Sequence, residues 1–319
     1  TLAQAKTIVA ATTGSVTFSA KITDSVANLK AGTTDFADLT TVTARTTDVA
    51  IDINDAAFAT SNTTIAATDL SGIGSDTTGT VTVSNAIKIT GSLSECVAAL
   101  KTDASKVVAA TAIVNISDAP ITSSDANVTS LNDVAGATSG VVTASFASSA
   151  ISRLANLTTA NTDVITLTVS DSVTVTQGST LVGKTAGNVT FAGVKDAHNN
   201  MITSNAISTN LSNILANAGA DAVAITVDGA IDDITADEVT ALNLITDATT
   251  GTVTASIDGN TAQLKTLSAN SDQTATCNFT ITVDDKPNLA DAQTILATTS
   301  KTTYQITNGI EDTYANIYQ

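Results

Sequence analysis

Apolar residues along this chain recur with two alternating periods. In residues 252–257, Val253, Ala255 and Ile257 alternate with Thr252, Thr254 and Ser256, the period of two that predicts a strand with one buried face. Just upstream, TADEVTALNLI places Val239, Leu242 and Ile245 on one side of a 3.6-residue period, which predicts an amphipathic helix. Thr235 and Glu238 have the spacing of a capping box at its start. LSECVAALK repeats this logic with Leu93, Val97 and Leu100, and Ser92 with Glu95 supplies a second capping box. In NTAQLKTL, Leu264 and Leu267 mark a shorter helical connection.

The two periods are carried by two recurring phrases. ATTGTVTAS (248–256) has near copies in TTGSVTFS (12–19), TTGTVTVS (77–84), TSGVVTAS (138–145) and TAGNVTFA (185–192), with a degraded copy, TSKTTYQI, at 299–306. Between them stands a strand phrase that closes on an aspartate: VAIDIND to Asp55, AIVNISD to Asp118, ITLTVSD to Asp171, AITVD to Asp228 and TITVD to Asp284. Both phrases return about every 60 residues, a spacing that marks a repeat architecture.

Each period reads as strand, helix, strand, helix. Helical connections of that length make successive strands parallel and the crossovers right-handed. The predicted fold is therefore an α/β repeat solenoid of alternating parallel strands and short helices, lining one sheet whose outer face is lined with Thr and Ser and exposed. The alternation excludes a sheet covered on both faces, which would show continuous apolar runs. The repeat predicts one array over residues 1–319, of about five and a half units, with an irregular unit near 172–229 and a tail at 300–319. In the irregular unit, VTVTQGSTLVGKTAG is short and glycine-rich and leaves a loop as an alternative to the helix, while KDAHNNMITSN reads as an insertion. At each corner the glycine, Gly251 in ATTGTVTAS, is expected to take the left-handed conformation that ends a helix.

Composition narrows the partners. Of 319 residues only 13% are charged and 3% aromatic, while 43% are hydrophobic, enough for a real core. Thr and Ser together fill over a quarter of the positions. A net charge of −17 with 13 scattered basic residues argues against a nucleic-acid partner, which needs clustered cations for counterion release. No apolar run reaches the length of a membrane span, so membrane insertion is not expected. The sequence begins at Thr1 without an initiator Met, as a processed or truncated chain would. The acidic surplus with abundant Thr, Ser and Asn suits an extracellular or cell-surface setting. Cys96 and Cys277 are expected to be two small buried thiols rather than a disulfide, because distant repeats of a linear array do not meet.

No motif for catalysis emerges. The single histidine, His198, has no second His or Cys nearby to complete a metal site, and no nucleophile elbow, phosphate loop, HExxH or CxxC is present. The expectation is no catalytic residue, no bound organic cofactor and no enzymatic activity. Calcium is the one candidate ion: DGAIDDITADE gathers Asp228, Asp232, Asp233, Asp237 and Glu238, hard oxygen donors of the kind calcium takes. The competing reading is that an aspartate between strand and helix caps the helix. Tyr304, Tyr314 and Tyr318 cluster near position 310 and read either as a plug over the local core or as an interface.

The phrases TITVDD, ATTGTVTAS and AQLKTL resemble the degenerate Thr/Ala-rich repeats of giant cell-surface proteins of marine cyanobacteria and related bacteria, and similar repeats are found in phage appendage proteins. The resemblance spans nearly all of the chain. It implies an extracellular structural or adhesive role and transfers no catalytic residue. Neither outermost repeat shows a polar cap, so the expected partner is the chain itself, as a head-to-tail homopolymer forming a filament, or neighbouring repeats of a longer adhesin or layer protein. The alternative is a binding module that offers its Thr-rich face to glycan or ice.

Overall fold

The computed structural model describes residues 1–46, 48–101, 103, 105–217, 222–301, 304–313 and 316. It is an α/β protein whose sheets are built from parallel strands, apart from one two-stranded antiparallel ladder. The chain divides into two compact units, one of residues Thr1–Ala147, Asn156–Leu167 and Lys184–Gly187, the other of Ser148–Ala155, Thr168–Gly183 and Asn188–Gln319.

In the first unit the strand-forming triplets fall into two sheets rather than the single sheet expected. Ile22–Asp24, Ile51–Ile53, Val81–Val83 and Val107–Val108 form one parallel ladder. Thr64–Ala66, Lys88–Gly91, Ile113–Ile116, Val142–Ser145 and the start of Val164–Val173 form the other. The physical reason lies in phrases such as VTVSNAIKIT, where a short polar turn at Ser84 and Asn85 separates two β-prone triplets, each with buried residues: Val81 and Val83 in one, Ile89 in the other. The long helices Ala67–Ser75, Leu93–Leu100 and Asp125–Gly136 pack side by side and seat Leu70, Ile73, Leu93, Leu131 and Val134 in the core.

In the second unit Val189–Ala197, Ile225–Ile231, Thr252–Gly259, Thr276–Val283 and Gln305–Ile306 are parallel neighbours in that order. Val253, Ala255 and Ile257 are buried while Thr252 and Ser256 are exposed, so the alternation read from the sequence is the burial pattern of the strand. Ala236–Asp247 is a helix whose Thr235 and Glu238 close the capping box, as Ser92 and Glu95 do for Leu93–Leu100. The glycine-rich stretch VTVTQGSTLVGKTAG holds a helix, Val175–Val182, capped by a box from Thr174 and Gln177. Gly178 lets it lie close to the helix Thr209–Asn217, because a Cβ there would stand 2.5 Å from Ile214 Cδ1. The KDAHNNMITSN stretch becomes a strand end, the short helix His198–Met201 and the strand Ile202–Thr203, which pairs antiparallel with Ala206–Ile207 just beyond it.

Cys96 and Cys277 are free and buried. Burial pushes the Cys96 thiol up to about 12 and that of Cys277 up to about 11, so neither is a nucleophile near neutral pH.

Candidate functional site

Two side-chain contacts recur between successive half-repeats, and they explain the two phrases. A helix leaves its first backbone N–H groups without intrahelical partners. In seven helices the first helical N–H is taken by an aspartate 20 to 29 residues further along the chain. Leu2 donates to Asp24 at 3.0 Å, Val26 to Asp55 at 2.7 Å, Leu93 to Asp118 at 2.6 Å and Ile151 to Asp171 at 2.9 Å. Val175 donates to Asp196 at 3.0 Å, Thr261 to Asp285 at 2.9 Å and Leu289 to Asp312 at 2.9 Å. The aspartates therefore do cap helices, but the helix capped belongs to the preceding half-repeat. The helix's own Ser, Thr or Asn accepts the N–H three residues on, for example Ser92 Oγ from Glu95 N–H at 3.3 Å. The negative charge also complements the positive end of the helix dipole.

The second contact sits at the Thr-x-Gly corner. Thr77 Oγ1 donates to the Val49 carbonyl at 2.6 Å, Thr138 to Ala112 at 2.6 Å, Thr185 to Ile165 at 2.8 Å, Thr249 to Val223 at 2.8 Å and Thr299 to Phe279 at 2.8 Å. The same hydroxyls accept the N–H two residues on, from Gly79, Gly140, Gly187, Gly251 and Lys301. Gly251 does not adopt the left-handed conformation expected of it; among the described residues the glycines with positive φ are Gly32, Gly229 and Gly309. The helix before it ends at Ala248 in the right-handed region. What demands glycine is the close approach of two backbones. A Cβ on Gly79 would stand 2.5 Å from the Val49 carbonyl oxygen, and one on Gly140, Gly187 or Gly251 would collide with the carbonyl of Ala112, Ile165 or Val223.

Two of the strand-ending aspartates, Asp228 and Asp284, depart from this pattern. Asp228 lies 3.3 Å from Lys195 Nζ. Asp284 meets Asp233 and Asp258, the carboxylate oxygens of the three lying within 4.8 Å of one another. They are gathered by three neighbouring strands: Asp233 follows Ile225–Ile231, Asp258 is near the end of Thr252–Gly259, and Asp284 follows Thr276–Val283. Ile234 N–H bonds the Asp258 carbonyl at 2.9 Å and Asp284 N–H the Gly259 carbonyl at 3.0 Å, which locks the three strand ends together. A hydrogen bond shared with Asp258, partial burial and the charges of Asp258, Asp233 and Asp285 raise Asp284 to about 6. Three converging hard oxygens could hold a divalent cation such as calcium, which would require further oxygens from backbone or water.

Of the five acidic residues expected to form a calcium site, the structure places only Asp233 in this group. Asp232 is exposed in the turn beside it. Glu238 closes the capping box with Thr235 and stands 3.6 Å from His198 Nε2. Asp237, in the first turn of the same helix, lines with His198, Thr235 and Glu238 a pocket of about 250 Å³. Asp258 and Asp285 were not singled out from the sequence, although SIDGN and TVDDK carry a signal, an aspartate one or two residues after the last aliphatic side chain of a strand. Tyr304 is 44% exposed; Tyr314 and Tyr318 lie outside the described residues. Among the described residues no helix is long and apolar enough to cross a membrane.

Comparisons with protein families, with curated proteins and with solved structures found no match.

Proposed function

We propose that the chain is a structural or adhesive repeat protein of an extracellular or cell-surface assembly, its half-repeats stacked as the coils of a solenoid. The observation that carries this reading is the recurrence of both contacts, the aspartate on the preceding helix and the threonine on the preceding strand, within each of the two units. Such contacts join like to like and can be extended without limit, which suits a scaffold. The acidic, lysine-poor composition supports an external location. Antibody labelling of intact producing cells tests the proposal: surface label is expected, and label that appears only after permeabilisation would refute it.

A second reading is favoured by the outer face of the second unit's sheet. Thr252 stands beside Thr276, Thr254 beside Asn278 and Ser256 beside Thr280, giving rows of hydroxyl and amide groups with the roughly 4.8 Å spacing of neighbouring strands. That face could bind glycans. Glycan-array binding abolished by Ser256→Val with Thr280→Val would support it over a purely structural role.

A further inference from the structure

Seven tripeptides of the chain have the form Asn-x-Ser or Asn-x-Thr, beginning at Asn62, Asn115, Asn127, Asn156, Asn188, Asn210 and Asn278. This is the pattern read by enzymes that transfer sugar to asparagine. In a chain so rich in Asn, Ser and Thr the pattern alone selects none of them. The fold does. A transferring enzyme must hold the asparagine amide and the hydroxyl two residues on together, and a tripeptide built into the core offers them only after local unfolding.

Six of the seven are anchored through their middle residue. Ile116, Val128, Leu157, Val189, Leu211 and Phe279 are core side chains, none more than 5% exposed. Their flanks are engaged as well. Asn127 gives its amide to the Thr122 carbonyl at 2.8 Å. The Asn156 carbonyl and the Thr158 N–H are both bound by Asn132, at 2.9 and 2.8 Å. Asn115 and Asn278 lie within strands and Asn210 within a helix, while Asn188 directly precedes the strand Val189–Ala197.

Asn62 differs on each count. Its middle residue is the hydrophilic Thr63, and Asn62, Thr63 and Thr64 are all exposed. Asn62 closes the short helix Phe58–Ser61 in the left-handed conformation, with φ 53° and ψ 16°, which asparagine tolerates better than most residues. The turn is held by bonds made within it, Asn62 N–H to the Phe58 carbonyl at 2.9 Å and Thr63 N–H to Ser61 Oγ at 3.2 Å. Thr64 begins the strand Thr64–Ala66 with its side chain outward.

We propose that Asn62 is a site of N-linked glycosylation. The donor is a sugar activated as an ester of phosphate at its anomeric carbon, carried on a nucleotide or a lipid. Asn62 Nδ2 forms a bond to that carbon, the bond from the carbon to the phosphate oxygen breaks, and the phosphate leaves with the electron pair. One amide proton passes to a base of the transferring enzyme. The exposed turn lets the product keep the native fold, because no buried group has to move to admit the sugar. The site goes beyond the surface role proposed above and suits it.

Tandem mass spectrometry of peptides from the protein isolated from its producing cells tests the proposal. Sugar is expected on Asn62, with the six anchored asparagines bare. Masses one sugar apart would mark a nucleotide donor, and a single mass of many sugars a lipid-borne chain; both support the site. Thr64→Val, which keeps the β-propensity of the position, should lose the sugar with an unchanged melting temperature of the sugar-free protein, and Thr64→Ser should retain it. A bare Asn62 in the native protein, or sugar that persists on Asn62 in Thr64→Val, would overturn the proposal. Surface label on cells whose protein has a bare Asn62 would remove this site and leave the proposed function standing; sugar on Asn62 without surface label would do the reverse.

Discussion

Gly251 lies against the carbonyl of Val223 so closely that any side chain at 251 would overlap that oxygen. The relationship joins residues 28 apart in sequence and makes the corner glycine a tertiary requirement, not a turn requirement. Gly251→Ala should therefore destabilise the second unit by about 3 kcal/mol, the range of overpacking a closed site. Gly14→Ala, where space is open and φ is not positive, should be neutral or stabilising by about 0.5 kcal/mol through the unfolded state. Urea denaturation of the two variants checks the contrast; equal losses would show that the glycines serve backbone conformation after all.

The aspartate contact across half-repeats makes a second contrast. Asp118→Ala removes the acceptor of the Leu93 N–H while leaving the Ser92–Glu95 box of that helix intact. A cost of about 1–2 kcal/mol is expected, typical of a lost helix cap. Hydrogen exchange should quicken first at Leu93 and its neighbours, in a helix distant in sequence from the substitution. Faster exchange confined to residues around 118 would contradict the assignment.

Acid should act oppositely on two carboxylates. Asp24 is held below the usual carboxylate range: burial pushes it up, but hydrogen bonds from Asn28, Leu2 and Ser25 outweigh that. Its contribution is present above the ordinary value near 4 and is lost as pH falls through the lower folded value. Asp284 is raised to about 6, so the folded state binds the extra proton, and stability declines as pH rises from about 4 to about 6. Asp284→Asn should accordingly raise the melting temperature near about pH 7.5, where three charges repel, and change it little near about pH 4.5, where the native carboxyl is already protonated. A substitution effect independent of pH would show that the three aspartates do not interact.

The thiols offer a check on burial. With Cys96 raised to about 12 and Cys277 to about 11 by burial, neither should react with an aromatic disulfide reagent in the native protein at neutral pH. Both should titrate once denaturant unfolds the chain. Prompt native reaction of either would mean that its surroundings open far more readily than the packed core indicates.

What the sequence by itself determined is what neighbours along the chain decide: Val253, Ala255 and Ile257 facing inward, the capping boxes Thr235–Glu238 and Ser92–Glu95, and the approximate places of strand and helix. These follow from interactions over two to four residues, and they are present in the fold. Tertiary structure alone decided that Asp118 serves Leu93, that Gly251 makes room for Val223, that the first unit holds two sheets, and that Asp233 meets Asp258 and Asp284 instead of Asp228, Asp237 and Glu238. The reason is physical. Each of these depends on the register between strands about 20 to 30 residues apart, and a shift of one residue would leave every local pattern intact while redirecting every contact made across the ladder.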